Sequence, residues 1–395
     1  MPASRLIALL LLAGSATAQN YENSRAVEAV GGEPAAMLSN ISAPALGLSA
    51  MTLPARNPPT EAKIALGRKL FFDRRLSFNG TLSCAMCHVP EQGFTQVELR
   101  TSVGAEGRFV KRNAPTLLNV GYRQSLFHDG REDSLENQVW QPLLKSNEMA
   151  NPSIGYVLNT LRQAQDYQGL FEAAFDRGLT AETVGMALAS YQRALVAANS
   201  PFDRWYFGGE EWALSAEAQR GWILFQAQGC VRCHSIGKSS AQFTNGEFID
   251  TGVGYARSMG IGVEPETIQV APGIHISPTV TFERPDANDL GRYEATGNSE
   301  DRWKYRVPSL RNVALTPPYM HDGSLADLAA VVDYYVAGGV PHEGQDWRVR
   351  PLAMTDADKR ALVTFMESLT GSNIGSLVQD ARSQHIGDRV STTTP

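Results

Sequence analysis

The chain has 395 residues, 43% of them hydrophobic, which is enough to bury a core in each of roughly two to three domains and too much for a disordered polymer. A net charge of -6 leaves no basic footprint, so nucleic acid and other polyanions are disfavoured as partners. Beyond the N-terminus no apolar run approaches the ~18 residues of a membrane span.

Arg5 precedes the apolar run "LIALLLLAG" (6–14), which closes on Ala16, Thr17 and Ala18. This is the form of a secretory signal peptide over residues 1–18, and it predicts a soluble mature protein exported to the periplasm. Residues 19–57 read as an N-terminal extension. Apolar residues recur at helical spacing in 61–73 ("EAKIALGRKLFFD"), 180–198, 215–229 and 355–370, several of them after a Ser or Thr cap. Strand-like alternation is scarce, so the predicted class is mainly α with long irregular loops.

All four cysteines lie in two short clusters, "CAMCH" (84–88) and "CVRCH" (230–234). In an oxidising compartment they could form disulfides, bind zinc or carry covalent haem. Zinc wants four ligands, which one cluster lacks unless both join in one site. The adjacent histidine favours haem: Cys84 and Cys87, then Cys230 and Cys233, would form thioethers, and His88 and His234 would ligate iron.

The segment "PTLLNVGYRQSLFHDG" (115–130) aligns without gaps on "PSLRNVALTPPYMHDG" (308–323), 193 residues later. Together with the two haem sequences this predicts two homologous cytochrome c-like haem domains, with a boundary in "PFDRWYFGGEEW" (201–212). The expected spans are 58–205 and 206–385, followed by a flexible tail, 386–395. Residues 245–300, rich in Gly, Pro and polar residues, separate the second cluster from its repeat.

Both C-x-x-C-H sequences, "RNAPT", "FHDGRE", "QVWQPLLKSNEM" and "RVPSLRNVALTPPYMHDGS" resemble the exported di-haem cytochrome c peroxidases, in their MauG- and MbnH-like branch, over nearly all of residues 58–380. The repeat and the resemblance bear together on the iron ligands. Leu328, Val331, Val332 and Tyr335 share one helical face, which turns Tyr335 inward and Tyr334 away. The equivalent first-half position is Pro142, which has no donor. The resemblance puts the sixth ligand of the second haem at Tyr335, where most relatives have methionine; Met320 and Met354 are the alternatives. A hard anionic phenolate would favour the oxidised states of iron.

Other positions are implied by the resemblance in the same way. The histidine that usually shields the first haem is missing from 89–127, and its place is Ala105. The first haem is therefore expected to be open above His88, with Gln138 and Glu148 as the distal pair that positions and moves a proton. His128 and Gln228 stand where relatives have tryptophans, leaving Trp140, Trp222 and Trp303 as unranked charge-transfer substitutes. A calcium ion is implied at the Asn113 side chain and the carbonyls of Thr316 and Pro318. The expected activity is peroxide-driven oxidation of a protein substrate or a small redox protein, a cytochrome c or cupredoxin. The alternatives are peroxide detoxification and a non-enzymatic electron-transfer cytochrome.

Overall fold

The computed structural model describes residues 36–261, 268–271, 274–276 and 288–387. The expected signal peptide lies outside the described residues, the extension 19–57 is described from Ala36, and the tail is described only as far as Gly387.

The four predicted helices form, each begun by the cap its sequence offered. Helix α1 (Glu61–Phe71) starts where the Thr60 side chain accepts from the Lys63 N–H. Two short helices follow, α2 (Leu135–Gln138) and α3 (Trp140–Leu144). Helix α4 (Ala181–Ala194) opens on a capping box between Thr180 and Thr183. Helix α5 (Pro201–Tyr206) occupies the expected boundary: Pro201 sits in the first turn, where no N–H is needed, and Ser200 and Asp203 cap each other. Helices α6 (Ala216–Ala227), α7 (Leu328–Val336) and α8 (Asp356–Glu367) are capped by Ser215, Asp327 and Thr355. Each such cap satisfies an orphan N–H and contributes about 1 kcal/mol. Helix α9 (Ile374–Arg382) closes the series. Among the described residues the strands form only two antiparallel ribbons, Phe248–Ile249 with Tyr305–Arg306 and Ile268–Ala271 with Ile274–Ile276. The fold is mainly α.

Among the described residues the two larger hydrophobic cores are separated near residue 200. The first is built on the crossing of α1 and α4, the second on that of α6 and α8. Each crossing turns on a glycine: a β-carbon on Gly67 would lie 2.0 Å from the Ala187 carbonyl oxygen, and one on Gly221 would lie 2.0 Å from that of Ala361. The duplication extends to the backbone of the loops. Asn119 and Asn312 are both left-handed (φ 59° and 60°), each begins a 3-10 turn, and the bridges Leu126–Glu132 and Tyr319–Leu325 follow at the same offset.

The cores are not independent. Helix α9 lies within the span expected for the second unit (206–385), yet Ile374, Leu377, Val378 and Ala381 are buried in the first core. Its Asp380 pairs with Arg68 of α1. At the junction Arg311 and Asp203, both buried, make two 2.9 Å hydrogen bonds, and Arg311 also donates to the carbonyls of Gly47 and Ala241.

Candidate functional site

The first C-x-x-C-H sequence forms one helical turn, Cys84–Cys87, opening on a cavity of about 460 Å³. Cys84, Cys87 and His88 line it together with Phe71 of α1, Leu188 and Gln192 of α4, Gln138 of α2 and Glu148. No disulfide joins the cysteines, and burial pushes the Cys84 thiol up to about 12 and raises that of Cys87.

His88 is held as an iron ligand has to be. Its Nδ1–H donates to the Phe94 carbonyl at 3.1 Å, and burial pulls the imidazole down to about 4, which leaves Nε2 neutral with a lone pair toward the cavity. His234 repeats this, with Nδ1–H donating to the Phe243 carbonyl at 2.9 Å and burial lowering its pKa. Both accepting phenylalanines are left-handed, Phe94 at φ 55° and Phe243 at φ 51°. That conformation is uncommon for a bulky side chain, and the same strain is present in both halves at the residue that orients the imidazole. Among the described residues no three His, Cys, Asp or Glu side chains gather as they would around a bare ion, so the clusters do not combine into a zinc site.

Anionic haem side chains would also find compensation. Arg123 lines the first cavity, where it donates to the Thr116 carbonyl at 2.9 Å; burial and then Arg306 push it down to about 9. Arg306, buried among main-chain carbonyls, is lowered to about 10 by burial. Neither has a carboxylate partner among the described residues, and Arg123 is the one of the two that lines the cavity.

A profile of the family described as di-haem cytochrome c peroxidase matches residues 61–211. The methylamine utilization protein MauG of Methylorubrum extorquens is 37% identical over 319 residues, covering 80% of each chain. This chain belongs to the di-haem cytochrome c peroxidase family. Another relative, the cytochrome-c peroxidase IdrP1 of Denitromonas iodatirespirans, is 35% identical over 87% of this chain and 91% of its own. Among solved structures, a MauG-like protein associated with microbial copper homeostasis superposes with a TM-score of 0.67 at 28% identity, covering 83% of this chain and 95% of that one. Members of the family are oxidoreductases acting on peroxide, and the di-haem family implies two c-type haems.

The features of a di-haem peroxidase predicted from sequence come together unevenly. Gln138 and Glu148 line the first cavity, and neither the Gln138 amide nor the Glu148 carboxylate makes a hydrogen bond to a described residue; Lys145 Nζ lies 3.5 Å from Glu148 Oε1. Ala105 is buried and its N–H donates to the Glu148 carbonyl, so this loop brings no imidazole to the cavity. The Tyr335 hydroxyl makes no hydrogen bond to a described residue; burial raises its pKa, and the acidic groups of Tyr334, Cys233 and Cys230 raise it further. Tyr334 turns away and donates to the Thr251 carbonyl at 2.8 Å.

His128 lines the first cavity, but its Nε2–H is engaged by the Asn113 carbonyl at 2.9 Å; His321 stacks on Tyr305 with centroids 3.6 Å apart. Asn113 donates through its N–H to the His321 carbonyl and through Nδ2 to that of Arg100, and its Oδ1 accepts from no described group. Of the unranked tryptophans, Trp222 is in the second core, Trp140 packs on the first, and Trp303 donates to Ser258 at 3.0 Å.

Two positioning residues escaped the sequence reading. Glu136 accepts paired bonds of 2.7 and 2.8 Å from Arg193 and another of 2.8 Å from Asn57 Nδ2, fixing α2 and with it Gln138. Gly185 lets α2 lie on α4, since a β-carbon there would meet the Glu136 carbonyl at 2.4 Å. The available signal was Arg193, a cation on a helix buried on every side from Thr183 to Ala194, which requires a carboxylate.

Proposed function

We propose that this chain is a periplasmic, MauG-like di-haem peroxidase that uses hydrogen peroxide to oxidise a partner protein, a protein substrate or a small redox protein. The observation that carries the reading is the first cavity, where Gln138 and Glu148 share a wall with His88, the Gln138 amide without a hydrogen bond to any described residue and the Glu148 carboxylate 3.5 Å from Lys145 Nζ. When bound, the two haems supply iron redox chemistry: cleavage of the peroxide bond and storage of the resulting oxidising equivalents. Cys84, Cys87 and His88 hold the first, and Cys230, Cys233, His234 and Tyr335 the second, in two domains meeting near residue 205. Arg123, which lines the first cavity without a carboxylate partner among the described residues, would compensate the haem carboxylates.

The Glu148 carboxylate accepts a proton from peroxide and delivers it to the departing oxygen, while the Gln138 amide orients that oxygen. Asn113 Oδ1, with the carbonyls of Thr316 and Pro318, suits a hard cation such as calcium. No described helix is long and apolar enough to cross a membrane. Stopped-flow mixing of the fully ferric holoprotein with one equivalent of peroxide tests the reading: both haem spectra should change together. A protein that is inert until half-reduced follows the conventional cytochrome c peroxidase cycle, and one inert in every state is an electron-transfer cytochrome.

A further inference from the structure

The second half buries a carboxylate and an imidazole that the peroxidase reading does not use. Asp250 is 1% exposed, and its Oδ2 lies 3.1 Å from Nε2 of His342, whose side chain is 6% exposed. Neither atom has a hydrogen bond elsewhere among the described residues, so in a site closed to water each depends on the other. The tautomer follows from the second ring nitrogen: Nδ1 accepts the Gly344 N–H at 3.2 Å, which leaves the ring hydrogen on Nε2, on the side of the carboxylate. Tyr255 stacks on the imidazole with centroids 4.2 Å apart, and Trp303 meets it edge-on at 5.5 Å, so the ring plane is fixed as well.

The pair holds a turn, and the turn holds α7. Asp250 Oδ1 accepts the Gly252 N–H at 2.8 Å, and the Asp250 carbonyl accepts the Asp346 N–H at 2.9 Å. Between them the Thr251 carbonyl takes the Tyr334 hydroxyl at 2.8 Å. The exit of α7 is pressed against this turn backbone to backbone: a β-carbon on Gly252 would lie 2.3 Å from the Val340 carbonyl oxygen, and one on Gly339 would lie 2.4 Å from that of Thr251. Gln345, three residues after His342, donates to the Gly338 carbonyl at 2.8 Å and closes the clamp from the other side. Tyr335 has no anchor of its own. Its hydroxyl makes no hydrogen bond to a described residue, and its ring stands at 88° to that of Tyr334, with centroids 5.8 Å apart. Its direction is inherited from a backbone that its neighbour pins.

We infer that Asp250 and His342 are positioning residues for the second haem: the pair locks the turn that anchors Tyr334, and through that anchor it fixes the direction in which Tyr335 presents its hydroxyl. This rests on the reading of Tyr335 as an iron ligand given above. A ligand bond to iron is sensitive to small displacements of its donor, so a support several residues removed from the metal is felt at the metal.

The test compares ferric EPR spectra of the holoprotein and its variants, with the signal of the first haem as internal reference. Tyr334→Phe removes a single oxygen and leaves the ring packing in place; the low-spin signal of the second haem should shift and lose intensity to high-spin iron while the first-haem signal stays. His342→Leu, which deprives the carboxylate of its partner, should act in the same direction. His342→Gln, whose amide can still donate to Asp250, should keep the parental spectrum. A denaturant midpoint that falls in Tyr334→Phe and His342→Leu with the low-spin signal unchanged would make the pair merely structural and overturn the inference, as would an equal change at both haems. A parental low-spin signal that survives Tyr335→Phe refutes the ligand reading first, and the positioning role with it.

Discussion

Substituting Gly67 by Ala sets two opposing effects against each other. Alanine is favoured over glycine inside a helix by about 0.5–1 kcal/mol, so an uncrowded site would gain stability. At Gly67 the new β-carbon would stand 2.0 Å from the Ala187 carbonyl oxygen and 2.9 Å from the Tyr191 β-carbon, against 3.4–4 Å for ordinary contact. The obstacle is backbone, which no rotamer change relieves, so α1 and α4 must part by more than an ångström. Overpacking of this kind costs about 1–3 kcal/mol, and the upper part of that range applies where backbone must move. The net expectation is a loss of about 1–2 kcal/mol, read from the denaturant midpoint of the holoprotein. Phe71, Leu188 and Gln192 from the same two helices line the first cavity, so the spectrum of the His88 haem should shift and that of the His234 haem should not. Gly221→Ala should do the reverse, since its β-carbon meets the Ala361 carbonyl at 2.0 Å and Phe225 of α6 packs beside His234. A neutral or stabilising result at both glycines, or a spectral change in the opposite unit, would refute this reasoning.

Tyr335→Phe should abolish the low-spin signal of the second haem in ferric EPR, and an unchanged signal would move the ligand role to another side chain. Glu148→Gln keeps size and polarity but cannot accept and return a proton, so the peroxide-driven spectral change should slow by about 10²-fold or more. Burial alone would raise the carboxyls of Asp129 and Asp289, but the Arg112 guanidinium, 2.6 Å from each, outweighs it and holds both below the usual range. Groups with depressed folded pKa values stabilise the protein above their unfolded pKa of about 4 and lose that contribution as pH falls through the folded values. Asp289→Asn should therefore lower the melting temperature at neutral pH and flatten its decline in acid, and a parallel decline in both proteins would remove Asp289 from the acid response.

Much of the fold was legible because it is local. Helical periodicity with Thr60, Thr180, Ser215 and Thr355 in front fixes where α1, α4, α6 and α8 begin, and the internal repeat carries over to matched left-handed asparagines. The C-x-x-C-H sequences state their chemistry within five residues. What stayed hidden depends on partners distant in sequence. The Glu136–Arg193 pair joins residues 57 apart, and the Phe94 and Phe243 carbonyls matter only because the chain turns back on each histidine. The return of α9 to the first core is of the same kind: its amphipathic pattern demands burial without naming the surface that provides it.

That return sets an order on biosynthesis. The second core takes its last buried residue from Leu369, whereas the first still lacks Ile374, Leu377, Val378 and Ala381 at that point. A polypeptide emerging from its N-terminus thus holds every residue of its downstream core while its upstream core is still one helix short. A nascent chain halted at residue 370 would leave the His88 half unsealed, and a stop codon between residues 371 and 381 would damage the half that was made first.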